Sequence, residues 1–350
     1  MFSVRPYFVI LLACLCFGTT GTAQALGANG ASSSSIGAAR ILIGGGLLAL
    51  IASGMWLRRR RWPFRLSVPV APGTDSRNGH NNPPGARAAS PMSSRIRILA
   101  LVTIGGLGVL AYQPTFFLGT RLNGVAIGTI VALGSAPMIT GLLDWALRRR
   151  FPSVLWLIAT LVATIGVTLL SGITTNGATD AGGSTISVLG ILSSLGAGAS
   201  YAVYTLASKA LLDHGWSPVG TMGGVFGLAA AFSVPLLLAG DTSWLATPSG
   251  LTMALWLGVV TTTVAYLLFA WGLRRLPAAT VSTLTPGEPL TATLLGILLL
   301  GERLPPVAIV GLVVLAAGLT ILIAPWRRKQ ETDAGAQATS VETLPNVGGR

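Results

Sequence analysis

The chain has 350 residues, of which 51% are hydrophobic and only 9% are Asp, Glu, Lys or Arg. Water-soluble folds carry about 25% charged residues. With a mean hydropathy of +0.71, this composition excludes a soluble enzyme, a coiled coil or a disordered chain as a description of the whole. The net charge of +13 does not point to nucleic acid, because the basic residues sit between apolar runs and not along one amphipathic face.

About 20 residues of helix cross the ~30 Å hydrocarbon core of a bilayer. Runs of that order follow one another at 7–25, 36–57, 98–117, 125–147, 154–173, 186–206, 219–238, 251–273, 278–300 and 307–323. All are too long and too evenly apolar for barrel strands, and open strands would leave backbone groups unpaired in lipid. The expectation is an all-α polytopic membrane protein of ten transmembrane helices. Cys14 and Cys16 stand two apart in the first run, face different sides of a helix, and cannot bridge each other.

Two stretches are too polar for the bilayer. Residues 58 to about 97 begin with the basic run Arg58 to Arg61 and continue through Pro-, Gly-, Ser- and Asn-rich sequence, which reads as a disordered loop. The tail at 326–350 reads the same way. The charges at Arg58 to Arg61 either touch anionic lipid headgroups or simply fix the orientation. With the N-terminus in the cytoplasm, 20 of the 23 Lys and Arg residues fall on the inner side, leaving Arg40, Arg121 and Arg303 outside. Both termini are then cytoplasmic and the protein lies in the cell membrane. A rival reading takes residues 1–25 as a cleaved secretory signal, with Arg5, an apolar centre and Thr22-Ala23-Gln24-Ala25 as the cleavage region. That would leave nine helices.

The chain also resembles itself. At offsets of 152 or 153, Phe116, Gly119 and Arg121 fall on Phe269, Gly272 and Arg274, Pro137 falls on Pro289, and Gly166 and Thr168 fall on Gly318 and Thr320. The repeat superposes the third to fifth runs on the eighth to tenth. Five is odd, so the halves, 7–173 and 186–325, cross the membrane in opposite senses. Inverted halves can exchange conformations, closing one side of a central site as the other opens.

The run at 285–304, with Glu288-Pro289 in mid-helix and Gly301-Glu302-Arg303-Leu304 at its close, resembles the ninth helix of EamA-type carriers of the drug/metabolite transporter superfamily. Ala38-Ala39-Arg40, opening the second run, is similar to the arginine that family carries there. The resemblance implies two five-helix repeats that move a small organic solute, a metabolite, amino acid or drug. Arg149-Arg150 stand where the second repeat has Gly301-Glu302, and the loop after the second run is unusually long. Neither departure bears on substrate, which the resemblance does not supply.

Two acidic residues fall within runs, Asp144 and Glu288. A carboxylate at mid-membrane is costly and ordinarily faces a cavity or takes up a proton, the alternative for Glu288 being a packing carboxyl that stays neutral or hydrogen-bonded. Pro289 removes an N–H, so a kink is expected there, with a carbonyl one turn back left free. Pro137 is its repeat counterpart. Asp144 lies four residues before Arg148, and an i,i+4 ion pair is the simpler reading. Arg40, Tyr112, Gln113, Tyr201, Tyr204 and Tyr266 are candidates to line a pocket with Glu288, although snorkelling alone would account for Arg40.

No Gly-rich nucleotide motif and no metal-ligand cluster stands in the sequence, so a gradient is the expected driving force and no cofactor is called for. The rival classes are a membrane-embedded enzyme, which would need acidic clusters or membrane-embedded histidines, and a channel or assembly component. His80 and His214, the two histidines, both lie between runs.

Overall fold

The computed structural model describes residues 5–27, 31–61, 91–149, 152–171 and 187–323. These form α1 (Arg5–Leu26), α2 (Ser33–Arg61), α3 (Arg95–Gly124), α4 (Ile127–Arg148), α5 (Val154–Leu170), α6 (Val188–Asp213), α7 (Pro218–Leu238), α8 (Pro248–Leu273), α9 (Ala278–Leu300) and α10 (Pro306–Ile323). Among the described residues nine helices are long and apolar enough to cross a bilayer, and α5 is a shorter tenth. The protein is all-α and polytopic. The helical backbone around the polar loop runs through Arg61 and resumes at Pro91. The rest of that loop, residues 62–90, and the tail lie outside the described residues.

Local chemistry sets the helix ends. Ser153, Ser187, Ser217 and Thr247 each accept a backbone N–H of the following turn, filling one of the donors that a helix start leaves open. Pro218 and Pro248 then occupy the first turn, where a missing N–H costs nothing. α3 outruns its expected end at 117, continuing through Pro114 and Gly119 to the non-helical Gly124. Gly124 takes φ 82°, ψ 156°, a conformation open to a residue without Cβ, and the chain turns there into α4.

Two helices are broken in mid-course. α9 divides into Ala278–Leu284 and Gly287–Leu300 around Thr285 and Pro286. The break thus falls three residues before the expected kink at Pro289. Pro286 cannot donate to the preceding turn, whereas Pro289 is third in the new half-helix, where its N–H would have had no intrahelical partner. The Thr285 carbonyl is not left free, since Glu288 N–H donates to it at 2.8 Å. The Leu284 carbonyl receives the Cys14 thiol instead, with Sγ at 3.4 Å. In α8, Val259–Val264 widens into a π turn. There the hydroxyls of Thr261 and Thr262 both donate to the Leu257 carbonyl, at 2.8 and 2.9 Å.

α2 packs on α7, α5 on α10, α6 on both α3 and α4, and α1 on both α8 and α9. Exchanging each helix for the one five places on maps this pairing onto itself. Small residues allow the close contacts: Gly223 and Gly227 of α7 lie on Leu48, Ala49 and Ala52 of α2, and Gly311 and Gly318 of α10 lie on the α5 backbone. Without a hydrophobic drive between helices in lipid, such backbone approach supplies the dispersion contacts that hold a bundle. α1 is integral to the bundle, with Ile10, Ala13 and Cys14 buried.

Candidate functional site

The two broken helices face one chamber. Arg40 reaches it from α2: its Nε donates to Thr262 Oγ1 at 3.0 Å and its Nη2 to the Thr261 carbonyl at 3.1 Å. The π turn widens the backbone there and presents that carbonyl to the guanidinium. Gly44, one turn along α2, lies against the Thr262 side chain, and Thr263 Oγ1 donates to the Gly44 carbonyl at 3.1 Å. Only a residue without a side chain permits this approach.

Glu288 enters from α9, in the first turn of its second half. The partial positive charge of a helix start favours a carboxylate at that place. No described residue gives its carboxylate a hydrogen bond or an ion pair, and it lines the same chamber as Arg40. At the break itself, the hydroxyls of Tyr201 and Thr285 lie 2.6 Å apart.

Aromatic rings form the floor. Tyr266 of α8 lies 4.1 Å, centroid to centroid, from Phe226 of α7, 5.9 Å from Phe269 and 6.2 Å from Tyr204 of α6. α3 supplies Tyr112, stacked on Phe116 at 5.7 Å, and Gln113, whose amide rests on Gly37 of α2. The chamber has a volume of about 90 Å³ and continues into a vestibule of about 340 Å³, with Arg40, Tyr112, Gln113, Leu133 and Glu288 lining both. The vestibule leads past Gln24 at the end of α1, Ser33 at the start of α2 and Phe117 late in α3. It therefore opens on one face of the bundle. Small-molecule sites run from about 300 Å³, so the vestibule can admit a solute whose polar ends meet the chamber.

An uncharacterized transporter of Bacillus subtilis, YwfM, is 36% identical to this chain over 325 residues, covering 93% of this chain and 96% of its own. The chain belongs to the EamA-like transporter family. The EamA-like transporter family model matches residues 188–324 of this transporter. The threonine/homoserine exporter RhtA of Escherichia coli is 30% identical over 66% of this chain and 73% of its own. A crystal structure of another protein superposes with a TM-score of 0.65 at 18% identity, over 91% of this chain and 98% of that one, a likeness of fold. The family makes this a multi-pass membrane transporter of small solutes and not an enzyme.

Of the residues singled out in the sequence of this EamA-like transporter, Arg40, Tyr112, Gln113, Tyr201, Tyr204, Tyr266 and Glu288 line the chamber, and Pro289 lines the vestibule. Pro137 lines neither and is buried within α4. Its missing N–H would have paired with the carbonyl of Leu133, which does line both cavities. Asp144 pairs with Arg148 at 2.7 Å, away from the chamber. Sequence reading missed Phe17, Phe226 and Phe269, which carry no signal among so many apolar residues. Thr262 and Thr285 had a usable one: three successive threonines in an apolar run, and a threonine just before Pro286.

Proposed function

We propose that this protein is a secondary transporter that carries a small amino-acid-like solute across the cytoplasmic membrane by alternating access between two inverted five-helix repeats. The observation that carries this reading is that Arg40, braced on the π turn of α8, and Glu288, at the break of α9, line one chamber. A solute carboxylate would meet the guanidinium of Arg40, and a solute ammonium would meet the carboxylate of Glu288 and the rings of Tyr112, Tyr201, Tyr204 and Tyr266. Threonine and homoserine, for which RhtA is named, both have that charge pattern.

The exchange symmetry of the helix pairing supports the repeats at 7–173 and 186–325, and the bias of Lys and Arg supports cytoplasmic termini. In that orientation the vestibule opens to the outside. Pro289 and the Pro137–Leu133 turn shape the passage and take no charge. Glu288 is the coupling group: it loads a proton when solute leaves and releases it when solute binds. The driving force is then the proton gradient, and no cofactor takes part.

The test uses the purified protein in proteoliposomes with a panel of small amino acids. Saturable flux that responds to a pH gradient is expected. Glu288→Gln keeps the shape and neutral hydrogen bonding, so exchange between two loaded compartments should persist while pH-driven accumulation disappears. A Glu288→Gln protein that still concentrates solute against a pH gradient refutes proton coupling at this residue. Ion current without saturable solute flux would favour a channel.

A further inference from the structure

The face opposite the vestibule is closed by a different chemistry. Lys209 of α6 is only 7% exposed. Its Nζ donates to the Leu273 carbonyl at 3.0 Å and to the Arg274 carbonyl at 3.4 Å, at the end of α8. It also lies 3.2 Å from Asp213. Asp213 in turn pairs at 2.8 Å with Arg148 of α4, which is held by Asp144. One chain of charge therefore ties the ends of α4, α6 and α8 together. It sits about 7.5 Å below the aromatic floor, five residues along α6 from Tyr204 at about 1.5 Å each.

A lysine so deeply covered is costly unless its donors are met. Here the carbonyls that a helix end leaves without partners meet them, and a cation is favoured at that end. Water could take over both sides of this contact if the helices parted, so it can break and reform without leaving an unpaired group in lipid.

We propose that Lys209 is the latch of the inner mouth, a positioning residue that biases the transporter toward the outward-open state. The inference rests on the alternating-access reading above. Exchange by five places turns α4, α6 and α8 into α9, α1 and α3, and there α3 stands away from α1 across the vestibule. The two faces must therefore swap conditions in each cycle, and the latch must open for the solute to reach the inside. Among the described residues the outer end of α1 offers no equivalent of Lys209, since α1 carries no charged residue after Arg5. The bias toward outward-open follows from that difference.

The experiment reads each face with a membrane-impermeant maleimide, in a background where Cys14 and Cys16 are alanine. Ala292→Cys, in the vestibule, reports the outer face. Leu273→Cys, one turn beyond Phe269 on the same side of α8, reports the inner face in inside-out vesicles. Lys209→Met should speed inner labelling about tenfold and slow outer labelling, the effect of losing a charge-assisted contact made in one state only. Lys209→Arg, which keeps the donors and charge, should stay near the parent rates. Lys209→Gln should shift both rates in the same directions by less, and serves if the methionine variant does not reach the membrane. Faster labelling at both faces would mean plain loosening and would overturn the latch, as would unchanged rates at both. Labelling needs no solute, so absent flux in the unaltered protein would count against the transport reading alone.

Discussion

Arg40 on α2 and Thr262 on α8 are joined by a hydrogen bond of 3.0 Å that, with the Nη2 bond to the Thr261 carbonyl, fixes the guanidinium at the π turn on the wall of the chamber. Five donors in a planar fork allow one side chain both to brace a neighbouring helix and to receive a carboxylate.

Arg40→Lys should therefore fail despite keeping the charge. A lysine presents a point cation and cannot hold Thr262 Oγ1 and the Thr261 carbonyl while facing a solute. Losing one such charge-assisted contact costs about 1.5–3 kcal/mol, so kcat/KM should fall about 10- to 100-fold. Initial rates in proteoliposomes check this, and a lysine variant with parental rates would remove Arg40 from the site. Thr262→Val, which keeps shape but drops the acceptor, should lower the rate by a smaller factor.

Gly44 and Gly46 offer a matched pair. A side chain at Gly44 would run into Thr262 and the Gly258 carbonyl, whereas one at Gly46 meets nothing within 4 Å. Gly44→Val should destabilise the protein by about 1–3 kcal/mol, as overpacking does, and displace Arg40. Gly46→Ala should be neutral or slightly stabilising through helix propensity. Thermal unfolding of the detergent-solubilised variants separates the two, and equal melting temperatures would contradict the packing described.

α1 supplies Phe17 to the chamber and Gln24 to the vestibule, and Gly18 lies against Thr291 and Ala292 of α9. Deleting residues 1–25 should therefore abolish flux, because it removes one wall. Sequencing the N-terminus of the mature protein tests the rival signal-peptide reading directly: a start near Leu26 would uphold it, and retention of α1 is the expected result.

Orientation is open to a separate test. Reporter domains fused after Gly85 and after Gly335 should report the cytoplasm, and one fused after Asp180 the outside. A Gly85 fusion reporting outside would reverse the assignment of the vestibule and the latch to their faces.

Much was legible without coordinates, and for one reason: lipid imposes a length and a polarity on every spanning segment. All ten runs became helices, and the Asp144–Arg148 pair followed from spacing alone. Polar and aromatic residues inside apolar runs are expensive or conspicuous, so Arg40, Glu288 and the tyrosines could be picked out before their neighbours were known. The sequence predicts a kink in α9 at Pro289 and the break lies at Pro286, because the position of a proline within a half-helix, and not its presence, decides whether its missing N–H matters.

The sequence by itself determined that this is an all-helical membrane protein, where its helices run, and which few residues are worth their cost in lipid. Tertiary structure alone decided how each helix is rotated and which partners meet. Arg40 and Thr262 are 222 residues apart, and Lys209 and Leu273 are 64 apart. Hydropathy reports the transfer of each segment into lipid and is nearly blind to rotation about the helix axis, since lipid-facing and protein-facing sides are equally apolar. Close backbone approach at glycines and hydrogen bonds between helices select one rotation, and those belong to pairs of helices and to no single segment.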